Sequence, residues 1–393
     1  MGRAAAGRSI VVIGGGAFGL VTALELRARG HAVEVVDPGP IPHPQASSTD
    51  ISKAVRMDYG RDGFYSDLAA RALDGWREWD RARERRLFHE VGILLVTRGL
   101  MVPGSFEAES YARMEERGVP VVRLNAAALA RRFPAWSRAG YADGYYNPKA
   151  GWVASGEAVA RLAARARRGG VLLREGATVA RLLERETRVV GVVLNGGEEL
   201  NAEQVVVAAG AWTPRLLPHL APLMWPVGQP VIHLRPADPL PFEGERFPVW
   251  CAEIATTGWY GFPVTRDGIL KLGNHGPGRE VAPGEPLVPN EQERGRAREF
   301  FERAFPDALP APIAGGRICL YCDTWDGNFL IDHDPDRPGL VVAAGGSGHA
   351  FKFAPVLGQI VADVVERRPN PWAGRFAWRR PGPRATEHAR HLD

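Results

Sequence analysis

Residues 9–37 read SIVVIGGGAFGLVTALELRARGHAVEVVD, and this stretch decides the fold that we expect. It begins with Ser9–Ile13, a β-branched and apolar run that is typical of a strand buried on both faces. Apolar residues at helical spacing then predict a helix over Ala17–Arg29, which Gly30 ends. Ala32–Val36 predicts a second strand, so the stretch reads as strand, helix and strand in succession.

Three glycines and one aspartate make this stretch a candidate nucleotide site. Gly14-x-Gly16-x-x-Gly19 joins the first strand to the helix, and Asp37 lies at the end of the second strand. Such glycines allow a tight turn and let the backbone approach a pyrophosphate, while the helix N-terminus supplies N–H groups and a positive dipole. A carboxylate about 20 residues further on accepts hydrogen bonds from ribose hydroxyls. The pattern therefore predicts a bound dinucleotide rather than a glycine-rich turn without a ligand.

Length and composition favour a globular protein of two domains. The chain has 393 residues, more than one ordinary core accommodates, and 45% of them are hydrophobic. Its formal net charge is +4, but the basic residues are spread over predicted helix surfaces. This distribution favours a solvated surface over a nucleic-acid interface, so no nucleic-acid partner is expected.

The cysteines and the N-terminal residues bear on the compartment. Cys251, Cys319 and Cys322 are too few for a disulfide framework and indicate a reducing compartment. The residues MGRAAAGR precede the first strand, so removal of a signal peptide would destroy the nucleotide site. The longest apolar stretches are too short or too broken by glycine to span a bilayer. We therefore expect a cytoplasmic protein without export or membrane association.

A change in hydrophobic spacing divides the chain into domains. Helical spacing over Gly63–Arg85 gives way from Leu87 to short apolar runs, which predict an inserted β-rich domain. A helix predicted over Gly156–Arg168, with strands after it, indicates a return to the first domain. The predicted segments are 1–86, 151–220 and 316–368 for the nucleotide domain, 87–150 and 221–315 for the inserted domain, and 369–393 for a tail. The tail is rich in proline and arginine, and we expect part of it to be disordered.

Two later stretches place small residues where a strand ends. Val205–Thr213 reads VVVAAGAWT, a buried strand that runs into small residues. These permit a close approach of the backbone to a flat or phosphorylated group, although tight packing of strand against helix explains them nearly as well. A simple NAD dehydrogenase needs no second strand of this kind, which favours FAD. The turn GGSGH at 345–349 precedes a helix with Lys352 in its first turn, where a cation is unfavourable and suggests an anionic partner.

Two pairs of titratable side chains are candidates for the chemistry. Lys53 and Arg56 are cations three residues apart near the turn that leaves the nucleotide, with ordinary surface charge as the alternative. Lys271 and His275 share one face of a predicted strand, with an edge-strand lysine turned to solvent as the alternative.

The spacing Cys319-x-x-Cys322 falls on a predicted strand. Residues three apart on a strand face opposite sides, so neither a disulfide nor a metal site is expected from this pair. Cys319 instead shares a strand face with Tyr321 and Asp323.

Six motifs follow one another in the order of one flavoprotein family. They are Gly14-x-Gly16-x-x-Gly19 with Asp37, Arg56-x-x-Tyr59-Gly60, Ala208-Ala209-Gly210-Ala211-Trp212, Lys271-Leu272-Gly273-x-His275, Cys319-Leu320-Tyr321, and Ser347-Gly348-His349-x-Phe351-Lys352. With these motifs the chain resembles, from Ile10 to about Val365, the monomeric sarcosine oxidase and N-methyl amino acid oxidase group of the D-amino-acid-oxidase-like superfamily. The resemblance implies an α/β fold, in which a Rossmann-like FAD-binding domain of the GR2 type carries an inserted β-rich substrate domain.

The resemblance also implies roles for individual residues. The cysteine matching Cys319 carries a covalent thioether to the 8α position of FAD, and the lysine matching Lys271 lies near flavin N5 and assists oxygen. The cations matching Arg56 and Lys352 bind the substrate carboxylate, which is a charge-assisted interaction. The catalytic residues that the resemblance implies are Lys271, His275, Tyr321, Arg56 and Lys352. The cofactor contacts that it implies are Gly14, Gly16, Ala17, Phe18, Gly19, Asp37, Ser48, Thr49, Lys53, Val179, Ala209, Gly210, Trp212, Cys319, Gly346, Ser347, Gly348, His349, Phe351 and Lys352. No metal is implied.

The expected activity is that of a monomeric, FAD-dependent amine oxidase. It would convert a small carboxylate-bearing secondary or cyclic amine and O₂ into an imine and H₂O₂. Sarcosine oxidases carry a histidine and a second arginine where this chain has Thr49 and Lys53, so sarcosine itself is not assumed. Trp259, Tyr260 and Trp325 hint at a larger, ring-containing substrate, and core packing explains them equally well. The alternatives are a biosynthetic oxidase that desaturates a cyclic imino acid and an FAD-binding subunit that passes electrons to a partner without using O₂.

Overall fold

The computed structural model describes residues 7–81, 86–281 and 285–391, and the chain divides into two compact units. Unit 1 comprises the described parts of Met1–Ile51, Ala154–Val227 and Leu320–Thr386, and unit 2 those of Ser52–Val153, Gly228–Cys319 and Glu387–Asp393. The helices are α1 (Ala17–Ala28), α2 (Gly63–Asp80), α3 (Phe106–Glu116), α4 (Ala126–Arg132), α5 (Ser155–Arg168), α6 (Thr213–Leu216), α7 (Ile254–Thr257), α8 (Glu291–Ala304) and α9 (Ala354–Val365). The strands are β1 (Ser9–Ile13), β2 (Ala32–Val36), β3 (Lys53–Val55), β4 (Phe88–His89), β5 (Ile93–Thr97), β6 (Val122–Arg123), β7 (Asp143–Asn147), β8 (Gly151–Val153), β9 (Leu172–Arg174), β10 (Val179–Arg185), β11 (Arg188–Leu194), β12 (Glu199–Asn201), β13 (Gln204–Val207), β14 (Met224–Leu234), β15 (Val249–Ala252), β16 (Trp259–Gly261), β17 (Leu270–Asn274), β18 (Arg279–Glu280), β19 (Ile313–Thr324), β20 (Leu330–His333) and β21 (Leu340–Ala344).

Unit 1 is built on a six-stranded sheet in the order β20-β21-β13-β1-β2-β9. Strand β1 pairs in parallel with β13 on one side and β2 on the other, and only β20 runs antiparallel to its neighbour. The central strands are runs of Val, Ile and Ala that are buried along almost their whole length, as expected for a parallel sheet that is covered on both faces. Helix α1 packs against α5 and α9, and a three-stranded antiparallel sheet of β10, β11 and β12 completes the unit.

Unit 2 is rich in β-structure. Its larger sheet has nine strands in the order β18-β14-β17-β16-β15-β5-β7-β6, with β19 paired to β14, and a smaller sheet has the order β3-β8-β4. The unit boundaries fall within β14, after Val227, and within β19, after Cys319. One core of the unit is aromatic, and in it the buried ring of Trp136 lies edge-on to Trp250 and Phe305.

The observed architecture confirms the predicted fold class, because a Rossmann-like parallel sheet and a separate β-rich unit are both present. The boundaries of the units differ from those of the predicted segments most clearly at the start of unit 2. Unit 2 begins at Ser52 rather than at Leu87, because β3 pairs with β8 and α2 contacts β4. Helix α2 belongs to unit 2 for that reason, and its predicted end at Arg85 lies outside the described residues.

The predicted tail is ordered over its described residues, which corrects the expectation of disorder. Phe376 is buried, and the Arg379 guanidinium makes two hydrogen bonds to the Asp326 carboxylate. Further on, Ala389 is fully buried within unit 2. Composition failed here because the tail is stabilised by partners that lie far away in the sequence. Among the described helices, none has the length and apolar character that crossing a membrane requires.

Candidate functional site

The first glycine turn of unit 1 leaves no room for a side chain at Gly14 or Gly19. Gly14 has φ +108°, a value that L-residues rarely adopt, and a Cβ there would lie 2.5 Å from the carbonyl oxygen of Ala208. A Cβ on Gly19 would lie 1.8 Å from the carbonyl oxygen of Gly14. Both glycines are therefore required by close approaches of backbone to backbone.

The start of helix α1 presents backbone N–H groups that side chains of the described chain cap only weakly. Its N-cap is Gly16, which has no side chain, and the first turn contains no acidic residue. Ala17 donates from its backbone N–H to Ser48 Oγ at 3.3 Å, and Phe18 is half-buried in the same turn. The positive end of the helix is thus available to an anion such as a pyrophosphate.

Asp37 lies at the end of β2 and faces the glycine turn. Its carboxylate accepts hydrogen bonds from the backbone N–H groups of Gly15, at 2.8 Å, and Gly39, at 3.0 Å. A carboxylate has about four lone-pair positions, so two remain for ribose hydroxyls. The geometry therefore fits the predicted role, which stays a prediction.

The predicted cofactor contacts at the end of β13 also lie in unit 1. Ala209 and Gly210 follow the strand directly, and Gly210 has φ +54° with no atom within 4 Å of its would-be Cβ. The half-buried Trp212 ring lies 6.2 Å from the ring of His43. Val179 begins β10, and the Thr49 N–H donates to the carbonyl oxygen of Ala46.

The second glycine turn of unit 1 packs on an aromatic ring. Gly345, Ser347 and Gly348 all have positive φ, and Gly346 lies between them. A Cβ on Gly348 would lie 2.1 Å from Cε2 of Tyr321, so the turn crosses the ring at closer range than any other residue would allow. Tyr321 and this turn are therefore neighbours.

Lys352 is buried near the second glycine turn. Its Nζ donates to the carbonyl oxygen of His349 at 2.9 Å, and His349 Nε2 lies 3.1 Å from the carbonyl oxygen of Gly327. The expectation that Lys352 occupies the first turn of the following helix is wrong. It lies in a short 3₁₀ segment with Phe351, and α9 starts at Ala354, where Pro355 favours a helix start.

Arg56 is a buried cation of unit 2 with one donor unsatisfied among the described residues. It is 5% exposed, and its guanidinium carbon lies 5.1 Å from the Tyr59 ring centroid and 5.5 Å from that of Phe106. Its Nη1 atom is buried without a hydrogen-bond partner in the described chain. Burial by itself lowers the pKa of Arg56, but the charge of Glu387 contributes most to raising it overall. Ordinary surface charge is therefore the wrong interpretation of this residue.

Lys271 is a second buried cation of unit 2. It is 1% exposed, because β17 lies between β14 and β16 rather than at a sheet edge. Its Nζ donates to the carbonyl oxygen of Ser52 and lies 4.6 Å from the ring centroid of Phe262. The alternative of an edge lysine turned to solvent is thus excluded.

His275 follows β17 and contacts the tail. Its Nε2 lies 2.6 Å from Oε1 of Glu387, and both side chains are buried. Burial lowers the pKa of His275, an effect that the neighbouring Glu387 carboxylate partly offsets.

The two cysteines of the C-x-x-C spacing have separate surroundings. Cys319 lies in unit 2, where Lys53 Nζ is 3.3 Å from its Sγ, whereas Cys322 Sγ lies 3.7 Å from Met224 Sδ in the core of unit 1. None of the cysteines forms a disulfide. Over the described ranges, no group of three potential metal ligands comes together.

Sequence reasoning missed three buried residues of unit 2. Ser52 accepts the Lys271 hydrogen bond through its backbone, and the fully buried Asp58 accepts from Tyr145 Oη at 2.8 Å. Asp58 could have been found as an acid inside the Arg56-x-x-Tyr59 motif. Glu387 had no such signal, because its partners are more than 100 positions away.

Trp259 and Trp325, which hinted at a ring-containing substrate, have packing partners. Trp259 stacks on Phe300 with ring centroids 4.8 Å apart, and Trp325 packs against the core of unit 1. Tyr260 lies edge-on to Phe262 with ring centroids 5.9 Å apart, so packing accounts for all three residues and the hint loses its support.

Comparison with known proteins places these observations in context. A family model described as DAO, FAD dependent oxidoreductase, matches residues 9–364. The chain is 26% identical over 366 residues to monomeric sarcosine oxidase of Bacillus sp. (strain B-0618), with 91% of each chain covered. It is 29% identical over 373 residues to N-methyl-L-tryptophan oxidase of Salmonella arizonae, with 92% of this chain and 95% of that one covered. Among solved structures, fructosyl amine: oxygen oxidoreductase (Amadoriase I) from Aspergillus fumigatus is similar with a TM-score of 0.82 and 26% identity, over 96% of this chain and 90% of that one.

Proposed function

The chain belongs to the DAO family of FAD-dependent oxidoreductases, and on this basis we propose that it is an amine oxidase for N-substituted amino acids. In the proposed reaction, a carboxylate-bearing secondary or cyclic amine loses two electrons and two protons across its C–N bond and becomes an imine. O₂ accepts the same two electrons and two protons and becomes H₂O₂. FAD, when bound, would supply the two-electron redox chemistry between the amine and O₂.

The residues of unit 1 fit the adenine-side half of FAD. The close approaches at Gly14 and Gly19 bring backbone N–H groups to the start of α1, where a pyrophosphate would be held. Asp37 is fixed by two backbone hydrogen bonds and would accept from the ribose hydroxyls.

The buried Arg56 carries the proposal for a carboxylate-bearing substrate. A buried donor without a partner costs free energy, in general about 1–3 kcal/mol, so its retention supports a ligand that satisfies it. A guanidinium matches the two oxygens of a carboxylate, and the interaction is strengthened by removal from water. Arg56 would therefore bind and orient the substrate through its carboxylate.

The buried Lys271 supports O₂ as the electron acceptor. Electron transfer to O₂ develops negative charge, which a desolvated ammonium stabilises more strongly than an ammonium in water. The same feature disfavours an electron-transfer subunit, in which no charge develops on oxygen. The names of the relatives support the substrate class, since they include a sarcosine oxidase, an N-methyl-L-tryptophan oxidase and a fructosyl amine oxidoreductase.

The test is a panel of amines in two stages. Sarcosine, N-methyl-L-tryptophan, a fructosyl amino acid and a cyclic imino acid would each be mixed with the FAD-loaded enzyme without air, and flavin bleaching recorded. Air would then be admitted and H₂O₂ measured. We expect at least one panel member to bleach the flavin and to give one H₂O₂ per amine. Bleaching by none, or bleaching followed by negligible reoxidation in air, would refute the oxidase assignment.

We further propose that Cys319 forms a thioether to the 8α carbon of FAD. The bond would form with loss of one proton from the thiol and one from the 8α carbon, and the two electrons left over would pass to O₂. Lys53 Nζ lies 3.3 Å from Sγ, which supports this proposal because it places a charged hydrogen-bond donor beside the sulfur that would form the bond. After acid precipitation, yellow colour should stay with the protein and disappear in Cys319→Ala, but persist in the control Cys322→Ala. Colour entirely in the supernatant of fully loaded enzyme would contradict the linkage.

A further inference from the structure

The C-terminal segment Glu387–His391 is anchored in unit 2 by hydrogen bonds to the backbone carbonyl groups of His275 and Gly276. The Arg390 Nε donates to the carbonyl oxygen of Gly276 at 3.0 Å, and the His391 N–H donates to the carbonyl oxygen of His275 at 3.2 Å. These bonds hold the segment at two consecutive carbonyl groups that directly follow β17.

Packing fixes the same segment between these bonds and Glu387. Ala389 is fully buried, and the ring of His388 lies edge-on to the Phe106 ring with centroids 5.5 Å apart. A Cβ on Gly60 would lie 2.2 Å from His388 Nδ1, so the absence of a side chain at Gly60 makes room for this ring. The segment is therefore packed into unit 2 as an integral part of it.

The contact between Glu387 and His275 has a defined donor and acceptor. An ionised carboxylate only accepts hydrogen bonds, so His275 Nε2, 2.6 Å from Glu387 Oε1, carries the proton that it donates. The exposed fractions of the two side chains are 6% and 5%, so water competes little for either group.

We propose that Glu387 is a positioning residue for His275, holding the ring in the tautomer that is protonated on Nε2. In this tautomer Nδ1 is the unprotonated nitrogen, which on the proposed function would accept a hydrogen bond from the N–H of a substrate amine. The step at the amine rests on the proposed function, whereas the fixing of the ring rests only on the contact between the two side chains.

The charges around His275 determine how removal of the carboxylate would act. Arg390 of the same segment and Arg56 are cations that disfavour imidazolium. Lys271 is a further cation on β17, the strand that His275 directly follows. Glu387 is the anion that opposes them. Replacing it with a neutral residue should therefore make His275 harder to protonate and move any activity limb that it controls to lower pH.

The first test reads the tautomer directly and requires no substrate. Flavin-loaded enzyme labelled with ¹⁵N-histidine would be examined by NMR, and the ring resonances of His275 identified by their loss in His275→Asn. We expect a protonated Nε2 and an unprotonated Nδ1 in the parent enzyme and in Glu387→Gln, whose amide oxygen still accepts. Glu387→Leu should give a mixture of tautomers. An unchanged single tautomer in Glu387→Leu would overturn the proposal.

The second test measures the activity and its dependence on pH. Glu387→Leu, which loses the fixed tautomer, should lower kcat about tenfold, and both Glu387→Leu and Glu387→Gln should shift the acid limb of the pH profile down by about one pH unit. KM for a carboxylate-bearing amine should not rise, because Arg56 loses a competing anion. A drop in kcat with an unmoved acid limb would overturn the proposal.

The matched control is a histidine–carboxylate pair of unit 1 whose side chains are also largely shielded from water. His31 Nε2 lies 2.9 Å from Glu366 Oε1, and Glu366→Gln should leave kcat and the pH profile unchanged. Equal effects of the two substitutions would mark a purely structural role for Glu387 and overturn the proposal. If no N-substituted amino acid is oxidised, the proposed function fails, and the tautomer measurement still decides the role of Glu387.

Discussion

The glycine turns of unit 1 and the buried charges of unit 2 represent two ways of building a site. In unit 1 the decisive contacts are between backbone atoms, at the distances that Gly14 and Gly19 make necessary. In unit 2 they are between charged side chains and their surroundings, as at Arg56 and Lys271. The first kind is sensitive to added atoms, and the second is sensitive to changes in the charge or in the donor geometry of a side chain.

The two kinds of site also differ in what they cost. A glycine turn costs conformational entropy when the chain folds. A buried charge loses the favourable free energy of its hydration, and only well-placed partners offset that loss. The cations of unit 2 are therefore expected to reduce stability in exchange for binding and chemistry.

The largest expected effect is that of one methyl group in the glycine turn. In Gly19→Ala the new Cβ would meet the Gly14 carbonyl oxygen at 1.8 Å, and backbone cannot yield as a side chain can. The purified protein should retain less than about a tenth of the parent flavin absorbance per chain. The control is Gly295→Ala in α8, which has open space and should stabilise the protein by up to about 1 kcal/mol. Full flavin content in Gly19→Ala would contradict the claim that the site in unit 1 is sensitive to added atoms.

A change of side-chain shape in unit 2 should leave the flavin content unchanged and impair the oxidation of the substrate. Arg56→Lys keeps the charge but loses the planar donor pair, so kcat/KM should fall roughly a thousandfold, about 4 kcal/mol. Steady-state kinetics and the flavin spectrum would be measured together, with the exposed Arg61→Lys as control. Loss of flavin, or unchanged kcat/KM, would show that Arg56 does not serve the substrate.

The cost of burying charge in unit 2 can be measured at Glu107. Burial raises the pKa of Glu107 from 4.5 to about 7, and its Oε1 has no partner among the described residues. The folded state then binds more protons than the unfolded state between these two values, so the free energy of unfolding falls as pH rises through this window. Glu107→Gln should abolish this fall and be more stable above pH 7 by up to about 3 kcal/mol.

The readout is the melting temperature as a function of pH. The melting temperatures of the parent and of Glu107→Gln should coincide below the ordinary pKa of a glutamate and diverge above it. The exposed Glu116→Gln should follow the parent throughout. A difference between Glu107→Gln and the parent that does not depend on pH would remove titration as its cause.

The smallest effect is expected for a side chain that merely assists the glycine turn. Ser48→Ala removes the acceptor at 3.3 Å from the Ala17 N–H, and FAD should bind about fivefold more weakly, or about 1 kcal/mol. The dissociation constant would be measured in a Cys319→Ala background, so that no covalent bond holds the flavin. The exposed Ser137→Ala is the control. A loss as large as that in Gly19→Ala would contradict the dominance of backbone contacts in unit 1.

The parts of the protein that the sequence predicted are those that depend on local pattern. The strand, turn and helix of Ser9–Asp37 follow from residue type and spacing, and the turn hydrogen bonds join neighbours in that stretch. The fold class followed from the same stretch together with the order of later motifs.

The parts that it missed depend on pairing between distant segments. Whether Lys271 faces solvent or core is decided by which strands flank β17, and no local pattern specifies that. The same holds for α2, which belongs to unit 2 because it contacts β4. It also holds for Glu387, which lies in a segment whose composition suggested disorder.

The position of β1 in the sheet of unit 1 has a consequence for how the protein is made. The register pairs Ile10 with Gln204, and the Ala208 N–H donates to the carbonyl oxygen of Ile13 at 2.8 Å. A ribosome therefore completes the whole glycine motif long before it supplies the strand that encloses one side of it. Contacts so distant along the chain form slowly, and the nascent apolar strand needs protection in the meantime. A fragment that ends before β13 would contain the whole glycine motif and still lack a nucleotide site.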